Sequence, residues 1–171
     1  MIELLAQSKG VIAGKWLDRI VASYPADTAG FLKKKRDEFA NPVGMTLAKG
    51  TGELVDALLD GTSVEALREA LEPMVKIRAV QDFSPSAAVA FVFQLKDVIR
   101  DVAGDRLTGA GDREELRTLE QRIDKMALLA FDVYASCREQ VADIRVSELK
   151  RTVANVLKRS GWFEDPQQGG D

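Results

Sequence analysis

IRAVQDFSPSAAVAFVFQLKDVIR, residues 77–100, holds the junction on which the fold turns: a charged helical segment stops at Ser84-Pro85 and an almost wholly apolar one begins. Ser84 suits an N-cap, since its hydroxyl accepts from an otherwise unpaired amide of the first turn, and Pro85 lacks only an amide that would be unpaired anyway. The run from Ala87 to Phe93 is apolar at every position. Periodicity alone leaves helix and buried strand open, but the alanines near a proline start and the apolar spacing through Leu95, Val98, Ile99 and Val102 favour one helix. Apolar on all sides at one end, it is expected in a protein core. The uncharged window from Phe83 to Leu95 is short of the roughly 20 residues that cross a bilayer.

Composition narrows the function further. With 171 residues, 46% hydrophobic and 30% charged, the chain can bury a substantial core. A net charge of −3, with Lys33-Lys34-Lys35-Arg36 as the one basic block, lacks the electrostatic footprint of a nucleic-acid binder. That block reads as a solvated helix end, where cations complement the dipole. The start, Met1-Ile2-Glu3, shows no leader or anchor pattern, and a lone Cys137 forms no internal disulfide; a bacterial, cytoplasmic setting fits both. Histidine is absent, which removes histidine-dependent triads, imidazole zinc sites and histidine-ligated haem. Cys137 is expected to be a small buried hydrophobe.

Along the chain, the pattern predicts a first helix from Ile2 to Ala22 with Ile2, Leu5, Ile12, Trp16 and Ile20 on one side, ended by Tyr24-Pro25. A short helix over Thr28 to Lys35 follows. Asn41 as N-cap and Pro42 at the first helical position open a helix that runs to Leu59 and stops at Asp60-Gly61. Thr62 and Glu65 stand at capping-box spacing before a helix carrying Leu67, Leu71, Met74, Val75 and Ile77, with Pro73 as a kink or restart. After a turn-rich loop from Gly104 to Gly111, Asp112 and Glu115 give a second capping signature. A last helix then extends over 113–159, where neither proline nor glycine interrupts. Its stripe of Leu116, Leu119, Ile123, Met126, Ala130, Val133 and Cys137 gives way near Ile144 to a displaced one of Val146, Leu149, Val153 and Val156. The helix is expected to change partners there, the alternative being a break into two packed helices. Gly161 reads as a left-handed cap that seats Trp162 on Leu157, and Glu164 to Asp171 as a disordered tail. The expectation is all-helical: a domain over 1–142, a linker and dimerisation helix over 143–160, and a tail over 161–171.

Four segments in order, WLDRIVASYP (16–25), FANPVG (39–44), residues 77–100 and ALLAFDVYASCREQVADIRVSELKR (127–151), together resemble the RsbRD N-terminal domain family, the sensory domains of RsbR-type stressosome co-antagonists. The resemblance implies a globin-like helical fold without haem, one that dimerises and whose last helix leads into a STAS domain. No STAS domain fits within this sequence, so phosphorylation and assembly of a stressosome core are not carried over. The motif positions are Asn41, Pro42, Arg78, Gln81, Asp82, Phe83, Ser84 and Pro85. A structural role is expected for them: Arg78 and Asp82, four apart, pair on a helix surface, and Ser84 caps.

The leading expectation is therefore a non-catalytic cytoplasmic sensory or regulatory domain, a homodimer that binds an unknown partner protein through Val146, Leu149, Val153 and Val156. It has no cofactor, metal, nucleic acid or membrane insertion. An alternative is a small-molecule sensor with an apolar pocket beside Phe91, Phe93, Phe131 and Tyr134; another is an accessory adaptor of a different complex. Catalysis is the poorest fit. Lys49-Gly50-Thr51-Gly52 has its lysine before the glycines and no strand ahead of it, so it encodes no phosphate cradle. Glu114, Glu115 and Glu120 suit a helix start, and a carboxylate metal bundle would want Glu-x-x-His pairs.

Overall fold

The computed structural model describes residues 1–34, 40–81, 83–104 and 109–160. Among these, every regular element is helical: α1 (Ile2–Gln7), α2 (Lys9–Ala22), α3 (Ala26–Lys34), α4 (Pro42–Asp60), α5 (Val64–Val80), α6 (Pro85–Val89), α7 (Gln94–Ala103) and α8 (Ala110–Arg159). The protein is all-α. Asp82, the side chains of the basic block, residues 105–108 and the segment 161–171 with Trp162 lie outside the described residues. Contacts within the chain fall into two units, Met1–Ala135 and Ser136–Asp171.

In the first unit α2 packs on α4 and α7, and α4 on α5. The core takes Ile12, Trp16 and Ile20 from α2, Leu47, Leu54 and Leu58 from α4, Leu71, Met74 and Val75 from α5, and Leu95, Val98 and Ile99 from α7, all at most 2% exposed. From α8 it takes Leu119, Ile123, Met126 and Ala130; the first stripe read from the sequence is a core stripe, with Leu116 half-buried at its edge. Gly50 lets α4 and α5 close on each other, since a methyl group there would collide with the Met74 side chain.

Local signals placed most helix ends. The Asn41 side chain accepts from the Gly44 amide at 2.9 Å, with Pro42 as the first helical residue. Gly61 ends α4 at φ 70°, the left-handed conformation glycine adopts without penalty. The Ser84 hydroxyl accepts from Ala87 at 3.3 Å.

Elsewhere tertiary contacts override the local reading. The first helix divides at Ser8, which leaves helical geometry at φ −105°, ψ 10°. α1 is anchored separately, its Ile2 amide donating to Glu115 at 3.2 Å and the terminal ammonium lying 3.4 Å from Asp112. Asp112 and Glu115 thus do not open α8 as a box: Asp112 instead accepts from Gly109 at 3.1 Å, reaching back to cap a helix that starts at Ala110. For α5 the cap is Ser63, accepting from Ala66 at 3.3 Å, while the Thr62 hydroxyl donates to Ala57 of the preceding helix at 3.0 Å. Pro73 lies inside α5.

The largest departure falls in the opening stretch. The single apolar helix expected after Ser84 is two helices, with a tight turn over 90–93 held by amides that bond three residues back, Val92 to Val89 and Leu95 to Val92 among them. The Phe91 carbonyl, which Leu95 would cap in an uninterrupted α-helix, accepts instead from the Trp16 indole at 2.8 Å. The two rings stack with centroids 6.0 Å apart.

Candidate functional site

The motif residues of the first unit converge on a buried cation. Arg78 is 1% exposed, at the end of α5 one turn beyond Met74 and Val75, so its side chain enters the core rather than lying on the surface where a pair with Asp82 was expected. Its Nη2 donates to the Ser23 hydroxyl at 2.9 Å and Nη1 to the Ala87 carbonyl at 3.1 Å, which ties the ends of α2 and α5 to α6. The rings of Tyr24, Phe83 and Phe91 lie 5.2, 4.8 and 5.0 Å from the guanidinium carbon. Aromatic faces carry partial negative charge and stabilise a cation, more so when water is excluded. Among the described residues no carboxylate pairs with it.

Burial draws the Arg78 guanidinium down from its ordinary value, although arginine stays charged in proteins. Burial pushes the Tyr24 phenol up, against the pull of the Arg78 charge. The Tyr24 hydroxyl, Arg78 Nε and the Gln81 amide oxygen are all buried without a well-formed hydrogen bond. From α8, the Tyr134 hydroxyl reaches the Phe83 carbonyl at 3.5 Å. Tyr24 was read from the sequence only as a helix end, and Ser23 only as part of WLDRIVASYP, whose match to the family was the available signal.

The four aromatic residues proposed to line a pocket differ in exposure. Phe91 and Tyr134 are buried, whereas Phe93 and Phe131 are 48% and 50% exposed. Neither of two cavities in the first unit is lined by any of them: one of about 450 Å³ beside Ile2 and Leu119, and one of about 960 Å³ along α4 and α5. The latter groove has Gly50, Ala66, Ala70 and Pro73 among its lining, with Glu53, Asp56, Asp60 and Glu69 around it. Pro42 of the family motif and Lys49 and Gly50 of the segment rejected as a phosphate loop are among its lining, but no single segment marked a groove, because it is made by two helices together. Among the described residues no group of His, Cys, Asp and Glu side chains is placed to hold a metal ion, and no helix is long and apolar enough to cross a membrane.

In the second unit the helix carries Val146, Leu149, Val153 and Val156 at 47%, 65%, 54% and 59% exposure, joined by Ile144 at 59%. Cys137 is buried.

A family model described as the RsbT co-antagonist protein rsbRD N-terminal domain matches residues 10–149. An uncharacterized protein of Archaeoglobus fulgidus is 21% identical over 148 residues, which cover 84% of this chain and 85% of that one. No solved structure matches.

Proposed function

We propose that this chain, which belongs to the RsbT co-antagonist RsbRD N-terminal domain family, is a non-catalytic regulatory domain that acts by docking to protein through its distal helix, as a stressosome-type sensory domain would. One observation carries the reading: four aliphatic side chains at steps of three and four residues, with Ile144 also exposed, stand about half exposed on a helix that is otherwise mostly polar. Exposed aliphatic rows of this kind mark interaction surfaces, and covering each residue contributes on the order of 1 kcal/mol. The natural occupant is a second copy, since valine and leucine at this spacing favour two-stranded association. A cytoplasmic setting agrees with the family's role.

The experiment is the mass in solution of the full chain and of a chain ending at residue 142. A dimer that becomes monomeric on truncation supports the reading, and a monomer in both sinks it.

A further inference from the structure

Three features stand outside that reading: the buried cation, the exposed rings of Phe93 and Phe131, and the groove along α4 and α5. Neither of the two cavities is lined by the first, and nothing shows what covers the second. The groove differs, because its chemistry specifies an occupant. Its floor is built from small residues, Gly50, Ala66 and Ala70, which let a third helix approach closely. Pro73, at its edge, has no amide to give to the Glu69 carbonyl one turn back.

Charge points the same way. Glu53, Asp56, Asp60 and Glu69 line the groove with Lys49 as the one cation among the lining residues. Lys49 offsets Glu53 at 3.7 Å, and Lys9 bridges Asp56 and Asp60 at 3.1 and 2.9 Å, which leaves the groove acidic by two charges. The distal helix is its complement: residues 143–160 carry Arg145, Lys150, Arg151, Lys158 and Arg159 against Asp143 and Glu148. Dimensions agree. The stripe from Val146 to Val156 spans about 15 Å at 1.5 Å per residue, and α4 from Pro42 to Asp60 about 27 Å.

We infer that the distal helix of one copy lies in the α4 and α5 groove of a second copy, its aliphatic stripe on the small-residue floor and its basic flanks against the acidic rim. This rests on the reading that the stripe docks to another copy, and it names the receiving surface. A reciprocal exchange of helices closes the pair about a two-fold axis.

Charge reversal in the full chain, read by sedimentation equilibrium with thermal melts to check folding, tests it. Glu53→Lys with Glu69→Lys weakens self-association by about tenfold or more, Arg145→Glu with Lys150→Glu does the same, and the four changes together restore it. If the stripe pairs with itself as a parallel coiled coil, Arg145 and Lys150 of opposite chains face each other. Arg145→Glu then tightens the dimer and the groove changes do nothing, which overturns the inference while the docking reading stands. Loss in both double variants without rescue also overturns it, as does a dimer whose strength ignores the groove changes. A chain monomeric at all concentrations removes both.

Discussion

Arg78 holds three helices together at one point, and its loss is costly because the guanidinium is itself buried and the Tyr24 and Phe91 rings against it are buried too. Lysine keeps the charge but cannot reach both the Ser23 hydroxyl and the Ala87 carbonyl or lie flat against three rings. Arg78→Lys is expected to lower unfolding free energy by about 1–3 kcal/mol, and Ser23→Ala by about 1 kcal/mol, both read from urea titrations. Gly50→Ala forces its methyl into Met74 and is expected to cost about 1–3 kcal/mol, with partial recovery on adding Met74→Ala. The Arg78 constellation was half legible. Its members stood in the motifs, and Leu71, Met74 and Val75 lead at steps of three and four to position 78, which places that side chain on the apolar face of α5. The four-residue spacing to Asp82 suggested a surface pair because charge was weighed above phase.

At the scale of elements, what was legible is what is local. Asn41-Pro42, Ser84-Pro85 and Asp60-Gly61 act on amides and carbonyls within one turn, and all three mark real helix boundaries. Asn41→Ala and Ser84→Ala should each cost about 0.5–2 kcal/mol, measured by thermal melts. The join between α6 and α7 is not local: no glycine or proline lies between Ser86 and Ala103, and the turn is held by an indole 75 residues away. Trp16→Phe keeps a ring against Phe91 and removes the donor. Amide hydrogen exchange over residues 90–96 should accelerate in that variant while α4 stays protected, and unchanged exchange would show that the turn stands without the indole. Asp112 and Glu115 belong to the same class, for their contacts with Met1 and Ile2 bring together residues more than 100 positions apart.

For the molecule as a whole, folding joins segments distant in sequence through ion pairs as well as core contacts, and these respond to pH. Lys9 ties the start of α2 to the end of α4, and the hydrogen bonds its ammonium donates to Asp60 and Asp56 raise it above the ordinary value of 10.5. A raised folded-state value means that this stabilisation is complete below the unfolded value and is lost as pH rises through the folded one. The chain should therefore lose stability above about pH 10.5 more steeply than Lys9→Met does, as paired urea titrations would show. The all-helical class and the division between a core stripe and a solvent stripe on α8 were legible because periodicity records which faces are apolar. Which surface the second stripe meets, under the docking proposed above, is not written in any one helix. The Trp16 and Phe91 contact offers a probe of its own: with Trp162→Phe as background, Trp16 is the single tryptophan that remains, shielded in the core against the turn that joins α6 to α7, and a rearrangement of that turn would be visible as a change in its emission.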